Sequence, residues 1–209
     1  MDRLLKLMLL VLAIVCVSLY GYLFWSSRVE ERSGPAGPAA SLAQESVDLW
    51  EAYERARAAA QVDGADVRPV SASAQWQSAT EDALLNGAGQ WSFGFYAPDD
   101  QKTLSVVATK ESARVASQTP ARDAPMTLAE GTWEEGPRDP LLVFLARGGR
   151  EFLERHEETV VSVHLANRDG EGSLWDVAAL STDDRSVLAL RIDAETLEVR
   201  SSASKDGEE

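Results

Sequence analysis

The sequence WDVAALSTDDRSVLALRIDAETLEVRS, residues Trp175 to Ser201, decides the fold, because the chain contains it twice. Slid back without a gap, it lies on WSFGFYAPDDQKTLSVVATKESARVAS, Trp91 to Ser117. Trp175 falls on Trp91, Asp183-Asp184 on Asp99-Asp100, Leu188 on Leu104 and Val199 on Val115. Self-similarity at one fixed offset is the mark of a duplicated structural unit. Within the first copy, Trp91, Phe93 and Phe95 alternate onto one face of a strand. Pro98-Asp99-Asp100 turns the chain, since Asp tolerates turn geometry and bonds its own backbone. Thr103 to Thr109 returns, and Ala113 to Ser117 adds a third strand. The second copy repeats this as Leu174 to Ser181, Val187 to Asp193 and Leu197 to Ser201.

Each copy is preceded by a helix and one more strand. Leu42, Leu49, Trp50, Tyr53, Ala56 and Ala60 recur at helical steps between Ser41 and Gln61, with Glu45, Glu51, Glu54, Arg55 and Arg57 on the other side. Asp63-Gly64 stops that helix. Val67 to Ser78 then alternates as a strand, and Pro69 marks it as an edge. Thr80 to Gln90 reads as either a short helical turn or a loop closed by Gly87-Ala88-Gly89. Before the second copy, Asp139 is placed to cap a helix with Pro140 in its first turn. Leu141, Leu142, Leu145, Phe152 and Leu153 make its apolar face. Gly148-Gly149 in mid-helix costs about 1 kcal/mol each relative to Ala, and a close approach to a sheet would explain them. Thr159 to Ala166 alternates as the following strand, and Asn167-Arg168-Asp169-Gly170 turns into the repeat.

This pattern predicts an α+β fold of two tandem units, each one helix packed on about four antiparallel strands. Residues 41–119 form unit 1, 120–138 a connector, 139–203 unit 2 and 204–209 a disordered polar tail. Units of about 65 residues are marginal alone, so the two should pack together or touch across the connector. Trp91 and Trp175 are expected to be core aromatics pinning strand to helix.

Residues 1–25 read as an uncleaved transmembrane anchor. Leu4 to Trp25 is apolar except for Lys6, and about 20 such residues span the hydrocarbon core of a bilayer. Arg3 and Lys6 precede the span while Glu30 and Glu31 follow it, which puts the N-terminus in the cytoplasm and the rest outside. Tyr20, Tyr22 and Trp25 suit an interfacial belt. No small-residue cleavage site directly follows the apolar run, and Ala13-Ile14-Val15 before Cys16 is a poor lipobox. Residues 26–40, charged and then rich in Gly, Pro and Ala, make a flexible linker. Cys16 is the single cysteine, so the soluble part must be held by its core alone.

The 209 residues carry a formal charge of -14, and the part beyond the anchor is more acidic still. Such a surface repels phosphate backbones and anionic lipid headgroups, which excludes nucleic acid as a partner through any broad basic face. Catalytic signatures are missing too. His156-Glu157-Glu158 lacks the second histidine of a metalloprotease motif, and no phosphate loop, nucleophile elbow or zinc spacing appears. His156 suits the cation-favouring end of its helix, and His164 is out of phase with Val161, Val163 and Leu165, so it should face away from the core. Asp99-Asp100 and Asp183-Asp184 read as turn-formers; neighbouring turn carboxylates point apart, and the other oxygen ligands of a calcium site are not nearby. Catalytic, metal and cofactor sites are therefore expected to be none.

The closing run Ile192-Asp193-Ala194-Glu195-Thr196-Leu197-Glu198-Val199 resembles the last hairpin of PepSY domains, apolar-Asp-Ala-x-Thr-Gly-x-Val, with Leu197 in place of the Gly. The first copy, Thr109-Lys110-Glu111-Ser112-Ala113-Arg114-Val115, matches less well. The resemblance covers residues 41–118 and 139–202. It implies cystatin-like α+β units at or beyond the bacterial cytoplasmic membrane and a role in local control of peptidases, and it brings no catalytic residues.

The expected protein is thus a non-enzymatic, extracytoplasmic, single-pass protein of the inner membrane. It would bind or regulate a protein partner, with a peptidase as one candidate. The alternative is a structural or assembly subunit of an envelope complex that self-associates. An enzyme with an unfamiliar site is the third reading; it requires a polar cleft holding His156 or His164 with a carboxylate. Function is sought in what differs between the copies: Ala79 to Gln90, the connector from Pro120 to Pro137, and the faces around them.

Overall fold

The computed structural model describes residues 45–61, 66–129, 131 and 136–205. The expected anchor, the linker, Asp63-Gly64 and the last residues of the tail lie outside these. Among the described residues no helix is long and apolar enough to cross a membrane.

The first half runs α1 (Leu49–Ala60), β1 (Arg68–Trp76), α2 (Glu81–Leu85), β2 (Gln90–Ala97), β3 (Lys102–Thr109) and β4 (Ala113–Pro120). The second runs α3 (Arg138–Phe144), a kinked segment (Leu145–Gly149), α4 (Arg150–Arg155), β5 (Thr159–Arg168), β6 (Gly172–Ser181), β7 (Val187–Asp193) and β8 (Val199–Lys205). Each half is a four-stranded antiparallel meander, as the repeat predicts. The halves do more than touch. They fuse into one eight-stranded antiparallel sheet, ordered β4-β3-β2-β1-β5-β6-β7-β8.

The fusion is made by β1 and β5, with Ala72 opposite Leu165 and Ala74 opposite Val163. Ala74 also lies opposite Trp91, and Leu165 opposite Trp175. Ala74 and Leu165 are therefore equivalent positions, and the pair Ser73–His164 lies on the approximate two-fold axis relating the halves. Pro69 does not make β1 an edge strand. It sits at a register shift between Pro69 and Ser71, beyond the β5 ladder, which starts at Ser71. There its carbonyl accepts from the Leu128 amide at 2.8 Å. Proline is tolerated because no ladder amide is needed at that point.

The repeated stretch superposes in detail. Trp91 and Trp175 are each 1 % exposed, and the Trp91 indole N–H reaches the Val47 carbonyl at 3.3 Å. Both Asp-Asp turns end on a left-handed residue, Gln101 at φ 51° and Arg185 at φ 63°. Tyr53, Phe93 and Phe95 pack together with centroids 5.8 to 6.1 Å apart in the first half, Tyr53 stacked on Phe95 and edge-on to Phe93. At the positions of Phe93 and Phe95 the second half has the buried Val177 and Ala179.

Several local expectations are corrected. Helix α1 begins at Leu49 with Asp48 as its cap, the Asp48 carboxylate accepting from the Trp50 amide at 2.8 Å; Val47 instead pairs with Ala88 as a β-bridge. Trp50 is 39 % exposed and Leu142 41 %, so neither belongs to its helix's buried stripe. Thr80 caps the short α2 by accepting from the Ala83 amide at 3.2 Å, which settles the ambiguous segment as helical. Asp139 does not cap α3, whose N-cap is Pro137 with no side-chain bond. Strand β8 includes Ser204 and Lys205, placed above in the tail.

The glycine pair also works differently from expectation. Gly148 takes φ 107° and breaks the helix. A Cβ on Gly149 would lie 2.5 Å from the Phe144 ring and 2.8 Å from the Phe144 carbonyl oxygen. Gly149 permits a close fold-back onto the helix's own Phe144, whereas Gly148 permits the kink and faces the sheet, a Cβ there lying 3.8 Å from the Leu188 side chain of β7. Before the kink, Leu141, Phe144 and Leu145 form the buried stripe at three- and four-residue steps, and Leu142 falls outside it.

Two stability predictions follow from this geometry. Gly149→Ala should destabilise by about 1–3 kcal/mol through overpacking, measured by urea denaturation. Gln101→Gly and Arg185→Gly, at exposed left-handed positions, should each stabilise by about 0.5–1 kcal/mol; a loss of stability in both would contradict the shared turn geometry.

Candidate functional site

The two helices cover their half-sheets differently, and the difference opens a groove. Helix α1 packs over β2, β3 and the edge strand β4. It is fastened to the β3–β4 turn, where the Arg55 guanidinium donates to the Thr109 carbonyl at 3.1 Å and Glu45 pairs with Lys110 at 3.0 Å. Helix α3 packs over β6 and against α2. Nearby, Arg150 of α4 holds Glu81 of α2 through two bonds of 2.7 and 2.8 Å. Drawn toward the middle of the sheet, the kinked helix leaves the β7–β8 hairpin less covered.

A cavity of about 640 Å³ lies between them, lined by Val143, Ala146, Arg147, Leu197, Glu198 and Val199. Its walls are apolar, with Arg147 and Glu198 as the charged members. Arg147 is at φ -101° and ψ 27°, off the helical region, and Leu197 is at φ 59°. Leu197 is the strained member, a non-glycine residue in the left-handed region, while Arg147 sits at the kink that separates α3 from α4.

Asp193 builds the hairpin wall. Its carboxylate accepts from the amides of Glu195 and Thr196 at 3.1 and 2.9 Å and from the Arg200 guanidinium at 2.7 Å. The Leu197 amide donates to the Asp193 carbonyl at 3.0 Å. Leu197 thus takes the left-handed conformation that the resembled motif gives to glycine. A leucine there carries steric strain of about 1–2 kcal/mol, held by the bonds around it, and places an apolar side chain at the groove.

The residues weighed for chemistry are dispersed. His164 stands exposed on the sheet face away from the helices, as its phase predicts. Partial desolvation by its neighbours lowers its pKa, with Arg168 adding to the shift and Asp176 opposing it. Asp176 is held below the ordinary carboxylate range despite its partial burial, because Arg191 and Arg168 bond it at 2.9 and 2.5 Å. His156 ends α4, stacked on Phe152 at 4.6 Å, with its Nδ1 3.5 Å from Asp184. That contact joins two features the sequence left separate. Asp184 is lowered to about 2, first by the Ser186 amide. The equivalent Asp100 meets only Lys102, at 3.4 Å. Among the described residues no three His, Cys, Asp or Glu side chains converge as a metal site.

A second cavity, of about 430 Å³, lies where α1 meets the connector, with Trp50, Tyr53, Arg57, Arg68 and Leu128 in its lining. The connector is anchored there: Leu128 is buried, and the Asn167 side-chain amide donates to the Thr127 carbonyl at 3.0 Å. Its bonds to β1 and β5 make it a strap across the junction of the halves.

No protein-family model matches the chain, and no curated protein matches it. Among solved structures, it is similar to a crystal structure of a "putative lipoprotein" from Clostridium difficile 630. The identity is 12 %, the TM-score 0.46, and the match covers 77 % of this chain and 99 % of that one.

The pKa of Asp193 lies at about 2, below its ordinary 3.8, chiefly because of Arg200. Folding favours the ionised form, so this stabilisation is complete above about pH 4 and disappears as pH falls toward 2. Asp193→Asn should lower the melting temperature at pH 7 and flatten its dependence between pH 4 and 2. An unchanged slope in the variant would contradict the assignment.

Proposed function

We propose that the chain is a membrane-anchored, extracytoplasmic module that binds a protein partner and regulates it, a peptidase being the candidate class. The observation that carries the reading is the copy-specific groove beside Leu197 and Arg147. The repeated residues are consumed by folding, whereas the groove exists in the second copy because its helix is kinked and displaced. Its apolar walls, and the Arg147 guanidinium that makes no bond among the described residues, suit contact with a protein surface or segment. The apolar N-terminal stretch supports the anchor, and the PepSY-like hairpin supports the peptidase-control role. Two open sheet edges, β4 and β8, favour self-association as the second reading.

The test is site-specific photo-cross-linking in the native host, from position 146 in the groove and from position 116 on β4. The expected result is a heterologous protein adduct from 146 and none from 116. Adducts only with a second copy of the chain would support the self-association reading, and no adduct from 146 would refute the binding role of the groove. Where the adduct is a peptidase, its turnover with and without the chain should differ by tenfold or more.

A further inference from the structure

The groove runs beside an unpaired strand edge, and the two together define the shape of an occupant. Strand β8 pairs with β7 on one side only. Six of its seven residues are exposed. Among the described residues no second strand pairs with its outer edge. The other edge, β4, is open too, but α1 packs on its face, and it ends in Pro120, which has no amide to donate to a further strand. Strand β8 contains no proline, and no helix covers it comparably.

Charge narrows the chemistry. In a chain of net charge -14, β8 holds no acidic residue; of its two cations, Lys205 and Arg200, Arg200 is already engaged by Asp193 at 2.7 Å. The neighbouring Glu198 is paired with Arg200 at 3.5 Å. Arg147, exposed at the groove, makes no hydrogen bond or ion pair among the described residues. Arg147 faces its hairpin across open space.

We propose that β8 accepts an extended segment of a partner protein as a ninth antiparallel or parallel strand. An apolar side chain of that segment fills the Val143–Ala146–Leu197–Val199 groove, and an acidic side chain or terminal carboxylate meets Arg147. Main-chain bonds supply affinity and the alternating side chains supply selection, as in other strand-addition complexes. This rests on the protein-binding reading above and specifies its partner as an extended, acidic-apolar peptide segment.

The experiment uses the full-length chain and two blocked synthetic peptides of about seven residues, alternating Val and Thr, a length that matches an ordinary strand. One ends in Asp and the other in Lys. Affinity is read by titration and location by amide hydrogen exchange. The expected result is protection of residues 199–205 by the Asp peptide, binding at least tenfold tighter than the Lys peptide. Arg147→Glu should remove that preference with no change in melting temperature, since the residue is exposed and makes no bond. Protection elsewhere, equal affinity for the two peptides, or a preference untouched by Arg147→Glu would overturn the proposal. If cross-linking from position 146 still captures a heterologous partner, only strand addition is lost. If it captures none, the protein-binding reading fails with it.

Discussion

The antiparallel pairing of β1 with β5 is the constraint on which the rest of the molecule depends. A four-stranded meander with one helix has two open edges and a small core, and is marginal by itself. Joining two such units edge to edge removes two of the four edges and makes one continuous core under both helices. The join is encoded in small and aliphatic residues, Ala72 and Ala74 against Leu165 and Val163, which alternate correctly only in this register. A shift of one residue would turn the buried face of one half outward. The approximate two-fold at Ser73 and His164 follows from that register.

From this join comes the asymmetry that opens the groove. Helix α2 lies between β1 and β2 in sequence, with no equivalent in the second half, and it meets α3 near the middle of the sheet. Arg150 and Glu81 reinforce the meeting, though an exposed pair of this kind contributes little to stability. What holds α3 there is burial of Leu141, Phe144 and Leu145. To reach that position and still return to β5, the helix bends at Gly148 and folds closely past Gly149. The groove beside Leu197 and Val199 is the geometric remainder.

Strain and polarity in the hairpin sustain the groove's far wall. Asp193 satisfies two turn amides and one guanidinium with one carboxylate, which fixes the loop while Leu197 adopts an unfavourable backbone conformation. In the first half, Thr109 and Ser112 close the corresponding turn through their own backbone and hydroxyl bonds, without a buried carboxylate. The second copy therefore has the better-fastened turn and the less-covered strand.

Much of the architecture was legible in the sequence. The repeat, the strand alternation at Trp91, Phe93 and Phe95, the Asp-Asp turns and the outward phase of His164 are local or periodic facts that one chain displays directly. The sequence also showed that function had to be sought where the copies differ. It could not show that Pro69 belongs to a central strand, because the register shift that accommodates it depends on strand partners distant in the chain. Nor could it place Arg147 and Leu197 on one groove, or His156 against Asp184, since their proximity depends on the angle of a helix over a sheet. Side-chain period determines which face each residue takes; only the packing of two unequal helices on one shared sheet decided which part of that face was left open.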